Sequence, residues 1–283
     1  LRRQMKPQTI QIFLPEGAPT SVKEAELTNR LIKTIWFPRT AMDKAAKRDI
    51  SQYTGVYFLF GDDDEGRPQV YIGEGENCWT RLQQHNRNKD FWTHCVIAVT
   101  KTNEFTKTDV KFLEHYCLDQ ATTAGRYTTV TSTGSLLPSI SEPRKYDLLD
   151  NFETIKVLLA TLGYPIFEDK RGDKAQQRKV FYCKGKDAEA KCLVTDEGYL
   201  VLAGSTANLD ETKTIGSGPK ALRAELIEKQ VLIPKGNVLE FTSDQLFKSP
   251  SSASSVVLAR SSNGWAEWKH KNGKTLDELT RKD

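Results

Sequence analysis

Between Thr54 and Phe60 the chain alternates, with Val56, Phe58 and Phe60 on one side and Gly55, Tyr57 and Leu59 on the other. A period of two is the mark of a strand whose faces meet different surroundings. The Asp- and Gly-rich stretch 61–68 reads as a turn. Gln69 to Gly73 then resumes the alternation, with Val70 and Ile72 apolar and Tyr71 and Gly73 opposite. The two runs predict a hairpin. If Val56, Phe58, Val70 and Ile72 share a core, Tyr57 and Tyr71 must share the other face, because a pleated sheet has only two sides. A third strand over residues 92–100 would complete a small antiparallel sheet.

Two helices are expected around these strands. Asn77 can cap one that runs to about Asn86, with Trp79 and Leu82 as apolar anchors. Arg81 and His85 are four apart on it, which places both side chains on one face. Thr106 and Asp109 have capping-box spacing and open a longer helix that runs to about Ala124, before Gly125. Val110, Leu113, Cys117, Ala121 and Ala124 form its apolar stripe. Glu114 falls beside that stripe and should point into packed structure. A carboxylate there calls for an arginine, a hydrogen-bond network or a metal ion.

Residues 7–14 alternate like a strand, and residues 31–37 suggest another. Residues 41–49 suggest a short helix carrying Lys44, Lys47 and Arg48. Residues 128–143 read as a loop, 147–163 as a helix and 170–179 as a linker. Strands are expected at 180–183 and 199–202, and a helix at 222–230. Ser249-Pro250 should start a helix over 251–259, and Asn263-Gly264 and Asn272-Gly273 signal tight turns. The expected organisation is α+β throughout: an N-terminal β/α extension (1–50), a domain built on the small three-stranded sheet flanked by helices (51–145), a helix and linker (146–179), and a smaller α+β domain (180–283).

The chain has 283 residues and a formal charge of +4, enough length for two ordinary domains. The charge is uneven: residues 1–50 carry 10 basic and 5 acidic side chains, 51–150 carry 10 and 14, and 151–283 carry 21 and 18. The middle is therefore acidic. Five cysteines with no C-x-x-C pair point to reduced thiols. No apolar run is long enough to span a bilayer, and the opening residues hold no apolar segment fit for a signal peptide, so a cytoplasmic protein with no membrane partner is expected. The Asp62–Glu65 run lacks calcium-loop spacing and reads as a solvated turn.

Gly55-Val-Tyr57, Tyr71-Ile-Gly73, Arg81, His85 and Glu114, in this order and spacing, resemble the GIY-YIG nuclease family over residues 51 to about 130. The resemblance implies metal-dependent hydrolysis of DNA phosphodiester bonds. Tyr57 would be the general base, with Tyr71 hydrogen-bonding nearby. Arg81 would clamp the phosphate, His85 would relay a proton or bind the same phosphate, and Glu114 would hold Mg²⁺ or Mn²⁺. An ordinary tyrosine pKa of about 10 is too high for this task, so nearby positive charge is expected to lower that of Tyr57. Many family members use an Asn after the catalytic Glu, whereas this chain has Thr131 to Ser135 in that region.

Residues of about 180–280, with Leu200 to Ser205, Phe247 to Pro250, Ser251 to Ser255 and Asn263-Gly-Trp-x-x-Trp268, are similar to a domain of unknown function found behind such nucleases and to modules of DNA-modification enzymes. That implies a DNA-engaging domain in which Trp265 or Trp268 stacks on a base, although tryptophans three apart also suit a hairpin core. Lys44, Lys47, Arg48 and Arg81 are the cationic nucleic-acid candidates, and residues 1–50 are expected to supply backbone attraction. DNA is the expected partner, within a homo-oligomer or a repair or restriction complex. The alternative function is a catalytically silent DNA-binding or protein-interaction module with the same fold.

Overall fold

A computed structural model describes residues 7–130, 137–168 and 179–281. The chain forms two compact units, Leu1–Asp169 and Lys170–Asp283. Among the described residues no helix is long and apolar enough to cross a membrane.

The first unit runs β1 (Ile10–Phe13), β2 (Lys23–Leu27), β3 (Ile32–Pro38), α1 (Met42–Ala45), β4 (Gly55–Asp62), β5 (Pro68–Gly75), α2 (Cys78–Asn88), β6 (Trp92–Thr100), α3 (Lys107–Ala124), β7 (Thr128–Val130) and α4 (Glu142–Thr161). Its sheet has seven strands in the order β1-β2-β3-β6-β4-β5-β7. All neighbours are antiparallel except β5 and β7.

The expected three-stranded sheet is thus only the β6-β4-β5 part of a larger one. A middle strand has two hydrogen-bonding edges. β4 takes one edge of β6, and β3 takes the other in unbroken register from Ile32↔Thr100 to Pro38↔His94. Residues 1–50 are therefore not a detachable basic arm, because removing them would strip three strands from the sheet. β2 escapes a hydropathy reading because Lys-Glu-Ala-Glu-Leu looks soluble. Its Glu24 is 2 % exposed and lies between Lys33 (2.6 Å) and Arg48 (2.6 Å). The expected helix at 41–49 shrinks to the single turn of α1 between short 3-10 segments, and the expected loop at 128–143 contains β7.

Both faces of the sheet are covered. Val56, Phe58, Phe60, Val70, Ile72, Val96 and Ala98 pack with the α3 stripe and with Leu148, Phe152, Ile155, Leu158 and Leu159 of α4. Tyr57, Leu59, Tyr71, Cys95, Ile97 and Val99 pack with Cys78 and Leu82 of α2 and Ala45 of α1. The alternation in the sequence divides the hairpin along this line, and Tyr57 and Tyr71 do share a face.

The second unit contains β8 (Val180–Lys184), β9 (Glu189–Thr195), β10 (Gly198–Val201), β11 (Thr206–Asn208), α5 (Ser217–Glu228), β12 (Leu232–Lys235), β13 (Val238–Phe241), β14 (Gln245–Phe247), α6 (Pro250–Leu258), α7 (Gly264–Glu267), β15 (Lys269–His270) and α8 (Leu276–Thr280). Its sheets order as β14-β10-β9-β8-β15 and β11-β13-β12. Asn263-Gly264 is not a hairpin turn: Asn263 caps α7, its Oδ1 accepting from the Trp265 backbone N–H (3.1 Å). The capping chemistry of Asn serves helix starts as well as turns, and the α6 segment before it is helical. All five cysteines are buried and free.

Candidate active site

The centre of the first unit is the paired register of β4 and β5, which sets Tyr57 opposite Gly73 and Leu59 opposite Tyr71. The two tyrosine rings stack with centroids 6.2 Å apart. Gly73 leaves room for this: a Cβ at that position would lie 2.4 Å from the Tyr57 hydroxyl. No other residue fits beneath the ring.

α2 closes over the pair. Its cap is in place, with the Thr80 N–H donating to Asn77 Oδ1 (3.0 Å), and Cys78 and Leu82 anchor it in the core. The next turn brings His85 onto the tyrosines. Its Nε2 shares a hydrogen bond with the Tyr57 hydroxyl (2.8 Å), and its ring centroid lies 4.8 Å from that of Tyr71. Lys89, one further turn along and absent from the sequence reading, sets its Nζ 4.5 Å over the Tyr71 ring. Arg81 is exposed and donates to Gln84 Oε1 (3.2 Å). The i, i+4, i+8 spacing of Arg81, His85 and Lys89 was visible in the sequence, but Lys89 sits at the helix end and carries no family signal.

Glu114 lies on α3 and is 9 % exposed, as its angular position requires. The Lys107 Nζ binds both oxygens of Glu74 (2.9 and 2.8 Å) and lies 3.9 Å from Glu76. Burial, and then the negative charge of Glu74, push the Glu114 pKa up to about 6, against the pull of Lys107 and Arg81. Burial and a like charge thus disfavour its ionised form. Among the described residues no group of three or more His, Cys, Asp or Glu could hold a metal ion.

The expected lowering of the Tyr57 pKa does not occur. Tyr57 is 0 % exposed. Burial, followed by the neighbouring Tyr71, drives its phenol upward, and the favourable charge of Arg81 is outweighed. Burial, then Lys89 and Arg81, push His85 down to about 4. At neutral pH both groups are uncharged and joined by one short hydrogen bond.

Several nucleic-acid candidates are otherwise engaged. Arg48 is paired with the buried Glu24, and Lys44 lies 3.9 Å from Glu16, leaving Lys47 as the exposed cation of that segment. Trp268 is 0 % exposed and donates through Nε1 to the Pro250 carbonyl (3.0 Å), so it is core and not a stacking platform. Trp265 is half-buried, with Arg281 over its ring at 3.5 Å and Tyr199 edge-on. Asp62–Glu65 forms a turn in which Asp63 Oδ1 accepts from the backbone N–H groups of Glu65 and Arg67. Thr131 to Ser135 lie outside the described residues.

Residues 181–280 match a family described as a domain of unknown function, DUF4357. No curated protein and no solved structure matches the chain. The match is confined to the second unit.

Proposed function

We propose that the first unit is a metal-dependent endonuclease of GIY-YIG type that hydrolyses DNA phosphodiester bonds. The observation that carries this reading is the convergence of Tyr57, Tyr71 and His85 in one contact cluster, with Arg81 one helical turn away on the exposed side. Tyrosine pairs, surface arginines and buried carboxylates are each ordinary alone. A hydrogen-bonded Tyr–His couple with an exposed guanidinium one helical turn away joins a proton relay to a phosphate-binding group.

In this mechanism Arg81 takes two oxygens of the scissile phosphate by paired charge-assisted hydrogen bonds and absorbs the charge that develops at phosphorus. The attacking water gives its proton to the Tyr57 oxygen as the new P–O bond forms and the bond to the leaving oxygen breaks, and the leaving oxygen takes up a proton from solvent. As Tyr57 accepts the water's proton it hands its own to His85 Nε2 along their shared hydrogen bond. Tyr71 and Lys89 fix the His85 ring, and Lys89 adds positive charge at the cluster edge. Glu114 would be this chain's one carboxylate ligand to a divalent ion. When bound, such an ion, Mg²⁺ or Mn²⁺, would supply charge neutralisation at the leaving oxygen.

Plasmid nicking with and without Mg²⁺, comparing wild type with Glu114→Ala, is the test. Metal-dependent nicking that vanishes in the variant is expected. Equal background in both proteins would leave the silent DNA-binding or protein-interaction module as the better reading.

A further inference from the structure

The second unit carries a site of its own on the outer face of its five-stranded sheet. Antiparallel partners point to the same side. The register pairs Tyr182 of β8 with Lys191 of β9 and with Lys269 of β15, so one row across three strands reads Lys, Tyr, Lys. Neighbouring strands lie about 4.8 Å apart, which places a lysine on each flank of the half-buried Tyr182. Phe181 and Cys183, the alternate residues of β8, face the core.

This row borders a groove of about 450 Å³ lined by Tyr182, Lys184, Glu189, Glu267, Lys269 and Lys271. Both carboxylates are already neutralised: Glu189 by Lys184 (3.5 Å) and Glu267 by Arg260 (2.7 Å). Lys191, Lys269 and Lys271 have no carboxylate partner among the described residues. Lys271 is held at the rim by a closed turn, in which the His270 N–H donates to the Lys274 carbonyl and the Gly273 N–H to that of His270 (both 2.8 Å). The net result is a preformed cationic groove with one aromatic platform in its wall.

We propose that this groove binds an unpaired stretch of nucleic acid, with a base stacked on Tyr182 and flanking phosphates taken by Lys269, Lys271 and Lys191. An acidic peptide would satisfy the lysines but leave the ring without a purpose. A flat π-face between two cations matches a base between two phosphates. The groove volume is that of a small-ligand site, which are about 300–1,000 Å³, and a single nucleotide is of that order. The proposal does not depend on cleavage by the first unit.

The test uses the full chain in EDTA, with a fluorescein-labelled twelve-nucleotide oligothymidylate as probe and anisotropy as readout. Lys269→Glu with Lys271→Glu is expected to weaken binding at least tenfold and to lower the salt slope by about 1.4, at about 0.7 per single-strand phosphate contact. Tyr182→Leu is expected to weaken binding about tenfold with an unchanged slope. Because a variant can misfold, wild type is also photo-cross-linked to the same oligomer carrying 5-bromodeoxyuridine, and attachment at Tyr182 is expected. Cross-links confined to residues outside 180–191 and 265–275 would overturn the proposal. So would unaltered affinity in a natively folded double variant, or binding of poly-glutamate as tight as that of the oligonucleotide. None of these readouts involves nicking, so failure of the nuclease reading leaves them interpretable.

Discussion

The hairpin region of the first unit and the Ser/Trp region of the second both carry distinctive residue runs, and they treat their polar groups in opposite ways. In the Ser/Trp region they are met locally. Ser249 caps α6 by accepting from the Ser252 N–H (3.1 Å), Ser251 Oγ accepts from the Gly264 N–H (3.1 Å), Ser254 and Ser255 bond Ser262, and Trp268 is tied to Pro250. In the first unit Tyr57 is buried with a raised pKa, His85 is held neutral, and Glu114 is buried beside another carboxylate. Residues that satisfy one another make architecture. Residues held against their own solvation make chemistry.

The largest expected effect breaks the satisfied side. A Cβ on Gly264 would sit 2.1 Å from the Pro250 carbonyl carbon and oxygen, which are backbone atoms that cannot swing aside. Gly264→Ala should therefore open the α6–α7 contact, and Trp268→Ala should cost about 3–5 kcal/mol by emptying a buried indole site. Hydrogen exchange resolved along the chain is the measurement. Protection should fall across residues 181–280 while β4, β5 and β6 keep theirs. Retained protection in the second unit would mean that its motif is not structural.

The next effect is on the strained side. Tyr57→Phe removes one hydroxyl and keeps the ring, so the fold should lose only about 0.5–1.5 kcal/mol for the missing hydrogen bond. Nicking should fall about 100-fold or more, the range of a lost acid–base group. A natively folded Tyr57→Phe protein that nicks at wild-type rate would leave the Tyr–His couple with no catalytic role.

How much of this was legible in the sequence depended on the range of the contacts involved. Period-two alternation separated the two sides of the hairpin, and helical spacing put Glu114 in the interior, because both follow from local geometry. Caps at Asn77, Thr106 and Ser249 were legible for the same reason. The seven-stranded sheet was not, since the pairing of β3 with β6 spans about sixty residues of chain and leaves no local mark. The sign of the Tyr57 shift was missed because Arg81 was visible as a charge, whereas the desolvation that outweighs it arises from packing. The influence of Lys107 and Glu74 on Glu114 left no local mark either, since β5 and α3 are brought together only by the fold.

Glu114 gives a sharper test with a smaller effect. Its folded pKa of about 6 lies above the model-compound value of 4.5. Between these values the native state binds the proton more tightly than the unfolded chain. The associated stability is therefore fully present below pH 4.5 and is lost as pH rises through 6. Glu114→Gln avoids that loss, so at pH 8 the variant should be about 1–2 kcal/mol more stable than wild type, with the gain vanishing near pH 4.5. Urea titrations at both pH values check this, and nicking should be lost at either. Wild-type kcat/KM should rise with pH near 6 as the carboxylate ionises, whereas His85, with its pKa of about 4, adds no titration of the resting protein near 6.

The smallest effect concerns Trp265, where the two readings of the second unit differ most directly. Arg281 sits 3.5 Å over its ring and lies 3.8 Å from Asp277 one turn back. An exposed cation–π contact contributes about 0.5–1 kcal/mol, so Arg281→Ala should lower stability by that amount. If the indole is already spoken for, uncovering it should leave oligonucleotide affinity where it was, since the proposed contacts lie at Tyr182. If instead the ring is a base platform that Arg281 shields, removing the shield should tighten binding, and a Trp265→Ala change in the same background should abolish the gain. Anisotropy on these two variants decides between the outcomes, and tighter binding by Arg281→Ala would restore Trp265 as a nucleic-acid contact.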